Sequence, residues 1–346
     1  GYFQKVSIQE QIDDSTIPAT VNLIVELTER TANTYSAKLG FGTDTGPRLQ
    51  LGWQRHYLSQ RGDQLGLGFG AQQQDQEFIF RANYQLPRGN DPGEFWFARS
   101  ILSREEEDFR FEDSSSNEPI FPELDGQRQQ YQIDAGLLTE ISREDRWPIQ
   151  QRWFLSHLYE RFDALDRGDL LAEQVALLSA NPLLEPNLEL SQQVTALGAS
   201  WSLRHSSGKN FDLQGLRADL RLSGALANVA SDISFAQFYL GVRHSRLLAP
   251  KHRLLLRSEI AYTQVATRDF SISLDDRELD LSISRLPEAY RFKTGGDRTI
   301  RGYGFESLSN NRIGSNHLLT ASAEYEYRIA SEWSLAGFYD VGNAFN

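Results

Sequence analysis

The sequence predicts an all-β protein whose antiparallel strands close into a transmembrane β-barrel, and three observations carry this prediction. Apolar and polar residues alternate with a period of two along many segments, as in strands with one apolar and one polar face. These segments reach about 10–16 residues, whereas strands of globular proteins are usually about five or six residues long. Aromatic residues recur at the ends of the apolar faces, as in the girdles of membrane barrels: Tyr35, Phe41, Trp53, Tyr57, Tyr84, Trp153, Tyr159, Tyr262 and Tyr327.

Composition excludes several other classes of protein. The chain has 346 residues, of which 40% are hydrophobic, and a formal net charge of −12. Its apolar runs are far shorter than the roughly 18–20 residues of a membrane helix, and its acidic balance argues against a nucleic-acid partner. Cysteine is absent, so disulfides and thiol catalysis are excluded. Methionine and a signal peptide are also absent, and we expect a processed piece of a longer protein.

The alternating segments place thirteen barrel strands near 34–41, 47–57, 63–73, 76–86, 93–104, 127–142, 148–162, 190–204, 211–223, 233–248, 252–266, 316–329 and 332–342. Connections after even-numbered strands are short, and those after odd-numbered strands grow long at 105–126, 163–189 and 267–315. In bacterial barrels the short turns face the periplasm and the long loops face outward. The chain should therefore enter its barrel from the periplasm. A soluble β-sandwich also alternates, and it remains open as an alternative.

Two units follow from this pattern. Residues 31–346 would form the barrel, and residues 1–30 contain a two-stranded ribbon at Lys5–Ile8 and Thr20–Leu27. Because a lone hairpin is marginally stable in water, we expect the ribbon to be the end of a small periplasmic domain.

The stretch Gly295–Tyr303 is the most unusual part of the chain. It places an arginine between glycines inside a polar connection of about 50 residues, and loops of such length usually serve a function. From the sequence alone, an arginine on a mobile surface loop with no partner is the main alternative.

Other candidate sites are weaker. The acidic residues Glu105, Glu106, Glu107, Asp108, Glu112 and Asp113 suit divalent cations, but a solvated acidic loop is the simpler interpretation. Residues 169–178 have the spacing of a short amphipathic helix. The sequence contains no HExxH motif, no dinucleotide fingerprint and no Gly-x-Ser-x-Gly elbow.

Five segments, in this order, carry a resemblance to a known family: Gly1-Tyr2-Phe3 before two strands, Gly42–Arg48, Gly295–Tyr303, Ser322–Tyr327 and Phe338–Gly342. On these segments the chain resembles the BamA/TamA superfamily of outer-membrane assembly barrels, and most closely its TamA branch. The resemblance implies a sixteen-strand barrel preceded by periplasmic POTRA domains. Residues 1–30 would then be the remnant of the last POTRA domain, and about three closing strands would be missing after Asn346.

The resemblance also implies a structural lock. In the family, the sixth outer loop folds into the lumen, and its Arg-Gly-Tyr tip contacts acidic residues on the inner wall. Here the tip corresponds to Arg301, Gly302 and Tyr303, preceded by the loop motif Gly295, Gly296 and Asp297. Strand alternation turns Asp340, Glu324 and Glu326 inward, where an arginine could bind carboxylates bidentately.

The activity implied by the resemblance is the insertion or translocation of outer-membrane and secreted proteins at a lateral seam between the first and last strands. In the first strand, the seam residues would be Tyr35, Lys38, Gly40 and Gly42. We expect no enzymatic activity and no cofactor. The expected partners are unfolded outer-membrane protein clients, autotransporter-type clients among them, outer-membrane lipids and a TamB-like inner-membrane-anchored protein. The expected location is the bacterial outer membrane, with the N-terminal part in the periplasm.

Three other functions remain open. The first is a two-partner secretion transporter of the same superfamily, which exports one dedicated client. A passive porin and an outer-membrane phospholipase are less favoured, the latter because the hydrolase elbow is missing.

Overall fold

A computed structural model describes residues 3–13, 20–42, 46–73, 77–89, 93–109, 124–143, 146–164, 189–274, 277–284, 286–309 and 314–346. These residues contain seventeen strands. They are β1 (Phe3–Asp13), β2 (Thr20–Glu29), β3 (Asn33–Gly42), β4 (Gly46–Arg55), β5 (Gln64–Gln72), β6 (Phe78–Pro87), β7 (Glu94–Phe109), β8 (Leu124–Arg143), β9 (Arg146–Ala164), β10 (Glu189–Ser207), β11 (Gln214–Ala225), β12 (Phe235–Ala249), β13 (His252–Val265), β14 (Thr267–Leu274), β15 (Arg277–Ser284), β16 (His317–Arg328) and β17 (Ser334–Phe345).

Thirteen of these strands form one antiparallel sheet in the order β17-β16-β13-β12-β11-β10-β9-β8-β7-β6-β5-β4-β3. The predicted number of thirteen barrel strands and their antiparallel pairing are confirmed. The remaining strands form two separate pairs, β1–β2 and β14–β15. The first pair is the ribbon predicted before the barrel.

The strands that flank the long connections are longer than predicted. β7 continues to Phe109, so Glu105–Asp108 belong to a strand and not to an acidic loop, which corrects the sequence interpretation. Pairing continues there because Glu105 lies opposite Arg128 of β8, and opposite charges across a ladder stabilise it. The 267–315 connection likewise begins with a hairpin, β14–β15.

Burial in the sheet is inverted relative to a soluble protein. On β9, Trp153 and Leu155 are half exposed, while Ser156 and Glu160, on the other face, are buried. A soluble sandwich would bury its apolar face against a second sheet. A sheet whose apolar face is outermost and whose polar face is covered instead suits a barrel in a bilayer, and the soluble sandwich is therefore wrong.

The polar face of the sheet is covered in part, over β8–β13, β16 and β17, by residues 286–309 and 314–316, which are called the inner segment below. Its Leu286 packs against the β10, β11 and β12 residues Val194, Ala225 and Phe235. A second cluster surrounds Phe292. Residues of the eight strands β7–β13 and β16 line one cavity together with the inner segment, so the sheet curves around it.

In the described part of the chain, no helix is both long and apolar enough to cross a bilayer. The helical elements there are the short 3₁₀ turns Asn210–Asp212 and Glu288–Tyr290. The predicted helix at 169–178 lies outside the described residues.

Candidate functional site

The glycines of the inner segment shape a compact tip that presents Arg301. Gly295 and Gly296 have φ of 114° and 93°, a region that L side chains rarely adopt. A Cβ on Gly295 would also lie 2.5 Å from the Gly304 carbonyl oxygen. The turn is closed by hydrogen bonds from the Gly296 N–H to the Ile300 oxygen, at 3.1 Å, and from the Gly295 N–H to the Thr299 hydroxyl, at 2.9 Å.

Arg301 lies against two carboxylates on neighbouring strands. Its Nε and Nη2 donate to the two oxygens of Asp340 at 2.7 and 2.9 Å, a bidentate fork. Its Nη1 donates to Glu324 Oε2 at 2.5 Å, and its backbone N–H donates to Asp340 at 3.0 Å. Asp340 belongs to β17 and Glu324 to β16, so one side chain ties the inner segment to two strands.

The surroundings of Arg301 favour this arrangement. The Asp340 side chain is only 2% exposed and that of Arg301 16% exposed, so water screens the pair weakly. The guanidinium carbon lies 3.5 Å from the ring centroid of Phe338, which adds a cation–π contact. Hydrogen bonds to Asp340 raise the pKa of the Arg301 guanidinium above its usual value, so the group is always charged.

A second arginine supports the same pair of strands. Arg257 of β13 donates to the Ser322 hydroxyl at 3.0 Å and to the Arg298 carbonyl at 2.9 Å, and it approaches Asp340 at 3.9 Å. It therefore holds the backbone just before Arg301.

The remaining predicted lock residues are not all brought to Arg301. Glu326 lies on the same face as Glu324, but its partner is Arg253, whose Nε donates to it at 2.6 Å. Including Glu326 among the contacts of Arg301 was wrong, because β13 supplies a closer cation for it. Tyr303 and Asp297 are exposed to solvent. Gly302 has φ of 92°, a backbone conformation that favours glycine.

The structure reveals a second attachment of the inner segment, centred on Glu288. Its carboxylate forms ion pairs with Arg128 of β8 and with Lys293 of the segment itself. Its backbone N–H donates to Glu160 of β9 at 3.1 Å. Arg128 is 3% exposed and also lies 3.5 Å from Glu105.

Sequence reasoning missed this second attachment. Glu288 lies in no recognisable motif, and its neighbours Pro287 and Ala289 carry no charge. A usable signal was the alternation of β8, which turns Arg128 to the same face as Gln132 and Asp134. That signal identifies an inward cation without identifying its partner.

The predicted seam residues lie in β3, at an edge of the large sheet. β3 pairs with β4, with Tyr35 opposite Trp53 and Gly42 opposite Gly46. Tyr35 is 75% exposed, and Lys38 and Gly40 are also exposed. A Cβ on Gly40 would meet no atom within 4 Å, so there is room for a larger side chain at this position.

The cation-binding interpretation of the acidic run gains no support. Among the described residues, no group of three or more histidine, aspartate or glutamate side chains is arranged to hold a metal ion. Glu112 and Asp113 lie outside those residues.

Comparison with known proteins gives the family context. A family model described as the Omp85 superfamily domain matches residues 30–346. Among solved structures, the chain is similar to BamA from Haemophilus ducreyi lacking POTRA domains 1–3, at 16% identity and a TM-score of 0.68. It is also similar to CdiB from Escherichia coli, at 12% identity and a TM-score of 0.59, and to CdiB from Acinetobacter baumannii, at 15% and 0.52.

These likenesses establish a common barrel fold. They cover 100%, 98% and 97% of this chain, but only 64%, 56% and 55% of the three matched chains. The chain thus spans less than two thirds of the length of each of these proteins.

Proposed function

We propose that this chain, which belongs to the Omp85 superfamily, inserts or translocates outer-membrane and secreted proteins, including autotransporter-type clients. Within the superfamily we place it with the TamA-type assembly barrels, on the five sequence segments quoted above. We further propose that it acts without enzymatic chemistry and without a cofactor, by offering a structured surface to an unfolded client.

The observation that carries the proposal is the edge position of β3. Within the described residues, this strand hydrogen-bonds to β4 on one side only. When a barrel seam at β3 opens, the strand presents a row of unsatisfied N–H and C=O groups, which can template the pairing of another strand. Apolar side chains on its outer face, such as Leu39 at 85% exposed, suit a strand that meets lipid or an incoming apolar segment.

The inner segment supports the same function indirectly. A barrel whose first edge must open needs the rest of its wall held firmly, and the Arg301 contacts tie β16 and β17 to the segment. We propose that these contacts are a structural lock that keeps the lumen filled while the seam opens.

The β1–β2 hairpin fits the end of a periplasmic POTRA domain. Val6 and Ile8 of β1 lie opposite Leu27 and Val25 of β2, and all four side chains are at least half exposed. Such an apolar face needs a covering element. We propose that a POTRA domain supplies it, and that the periplasmic region meets a TamB-like inner-membrane-anchored partner.

Depletion of the full-length protein, followed by a census of outer-membrane proteins, tests the function. We expect the loss of several unrelated barrel or autotransporter-type proteins while their synthesis continues. An unchanged census would overturn the proposal. A defect limited to one secreted protein would instead identify a two-partner secretion transporter, which the similarity to CdiB makes the second candidate.

Trapping of the seam tests the mechanism separately. The chain has no cysteine, so a single cysteine at Lys38 can be paired with one introduced into a client strand without background. We expect a disulfide-linked client at Lys38 and none at Gln50, an equivalent position on the already paired strand β4. Equal trapping at both positions would exclude β3 as the docking edge.

The porin and phospholipase alternatives have their own tests. A large ion conductance that deletion of residues 267–315 leaves unchanged would favour a porin. Hydrolysis of phospholipid by the purified protein would favour the enzyme.

A further inference from the structure

We propose a binding site for a phosphate-type oxyanion inside the barrel, in the cavity between the sheet and the inner segment. The cavity has a volume of about 740 Å³ and is lined by residues of β7–β13 and β16 together with residues 288–293 and Glu306. This volume is in the range of small-ligand sites, about 300–1,000 Å³. The site lies apart from the Arg301 contacts.

Two arginines define the site. Arg152 of β9 and Arg221 of β11 both lie opposite Ser200 of the intervening strand β10, so they share one row of the inner wall. Adjacent strands are about 4.8 Å apart, which places the two backbones about 10 Å from each other. Long side chains from this row reach the same part of the cavity.

Neither arginine has a carboxylate of its own. The nearest ring to Arg152 is that of Phe97, at 5.0 Å from its guanidinium carbon, and that to Arg221 is Tyr239, at 5.6 Å. In the part of the chain that the structure describes, neither forms a salt bridge or a side-chain hydrogen bond. The Nε of Arg152 is buried without a hydrogen-bond partner.

Two acidic residues that line the cavity, Asp134 and Asp219, are already engaged. Asp134 receives the guanidinium of Arg99 on one oxygen and the Gln132 amide, at 2.8 Å, on the other. Asp219 accepts from Ser202 at 2.6 Å and from Arg217 at 2.7 Å. The Arg152–Arg221 row is therefore a pair of arginines that these two carboxylates do not bind, in a cavity whose other charges have both signs.

A third arginine lies near the row, paired with Asp134. Arg99 lies close enough to act electrostatically on both Arg152 and Arg221. Like charges placed in one part of a sheet are destabilising unless an anion lies between them. An oxyanion bound here would relieve that repulsion.

The donors around the row favour a tetrahedral anion. Ser200 lies on the strand between the two arginines and lines the cavity, and Ser223 also lines it with a buried hydroxyl that has no partner. Donors on β9, β10 and β11 thus approach from several directions. A phosphate has enough oxygens to accept from all of them, whereas a planar carboxylate has two.

Calorimetric titration of the full-length protein in detergent tests this site. Orthophosphate represents a free anion, and dihexanoyl phosphatidic acid represents a lipid headgroup. We expect saturable binding of at least one of them, and at least tenfold weaker binding of acetate. The probe that binds more tightly identifies the source of the phosphate.

The matched variants decide whether the arginines form the site. The double substitution Arg152→Gln/Arg221→Gln should weaken binding about tenfold or more, because charge-assisted hydrogen bonds are lost. Arg81→Gln, which removes an exposed arginine of β6 outside the cavity, should leave binding unchanged. Arg152→Lys keeps the charge without the fork and should bind with intermediate affinity.

Three results would overturn the proposal. They are the absence of saturable binding of both phosphate probes, equal binding of acetate and phosphate, and parental affinity in the double variant. The compact electrophoretic form of each variant before heating shows that its barrel is folded, so weaker binding reports the site and not unfolding.

Discussion

The two attachments of the inner segment use opposite charges. At the Glu288 attachment, the segment supplies a carboxylate to the wall cation Arg128. At the Arg301 attachment, the segment supplies a cation to the wall carboxylates Asp340 and Glu324. If the segment bound to the wall in the reverse direction, Glu288 would face wall carboxylates and Arg301 would face a wall arginine. The charges therefore fix the direction of the segment, because like charges would repel.

The two attachments also reach different parts of the wall. Glu288 contacts β8 and β9, whereas Arg301 contacts β16 and β17, and four strands separate these pairs in the sheet. Between them, Phe292 packs against Ala261, Leu318 and Ala344. The segment therefore connects two distant parts of the barrel wall across the lumen. The Arg301 contacts account for only one of these two connections.

Reversing the charge of Arg301 should have the largest effect. Arg301→Glu places a third carboxylate beside Asp340 and Glu324, and breaking a buried pair costs up to about 3–5 kcal/mol, less where water reaches it. We expect a lower melting temperature of the barrel and loss of assembly activity. The melting temperature can be measured by heat-modifiable electrophoretic mobility, and the activity by the assembly of client proteins in cells.

The compensating variant separates this pair from general damage. Asp340→Arg in the Arg301→Glu background should restore part of the stability and activity, because a charge pair is formed again with reversed polarity. Asp340→Arg alone should be as damaging as Arg301→Glu. Unchanged stability and activity in Arg301→Glu would show that the contacts are not a lock.

The sequence predicted the Arg301 attachment better than the Glu288 attachment for a physical reason. Strand alternation gives the face of a residue, and it placed Asp340 and Glu324 inward; the family resemblance then gave them a partner, Arg301. Strand alternation could not exclude Glu326 as a partner of Arg301, because Glu326 shares that face. Only the register of β13 shows that Arg253 lies directly opposite Glu326. Alternation equally turns Arg128 inward, but its partner lies 160 residues away on an irregular segment.

The fold was predicted more completely than the site. A period of two is a local property, and it gave all thirteen strands of the sheet. Strand ends are different, since they depend on neighbours: β7 and β8 continue past the expected loop boundary because Glu105 and Arg128 lie opposite each other. The hairpin β14–β15 was missed because the whole stretch 267–315 was interpreted as one loop, although Phe270, Ile272 and Leu274 alternate with polar residues.

Removing the charge of Glu288 should have the next largest effect. Glu288→Gln removes the charge that pairs with the buried Arg128, and a lost charge-assisted hydrogen bond costs about 1.5–3 kcal/mol. We expect a smaller fall in melting temperature than for Arg301→Glu. The two substitutions combined should lower stability additively, since they share no contact. A combined loss well beyond the sum would show that the segment detaches as one unit.

Two glutamates on one strand give a matched test of which carboxylate serves Arg301. Glu324→Gln should destabilise the barrel by about 1–2 kcal/mol, because its charge faces Arg301. Glu326→Gln should leave Arg301 in place and instead loosen Arg253, which also donates to the carbonyl oxygens of Asn210 and Phe211. Protease cleavage near residues 208–213 measures the second effect, and cleavage within the inner segment measures the first. Cleavage of the inner segment in Glu326→Gln would contradict this assignment.

The smallest effect should come from the backbone of the tip. Gly302 has φ of 92°, and a Cβ there would meet no atom within 4 Å, so Gly302→Ala introduces backbone strain without a steric clash. The cost of that strain is about 1 kcal/mol. Gly40→Ala in β3 is the matched control, because Gly40 also has open space but no positive φ. We expect a melting temperature slightly below that of the parent for Gly302→Ala alone. Equal melting temperatures of the two variants would show that the tip adapts its backbone, and that Arg301 is held in place by its carboxylates alone.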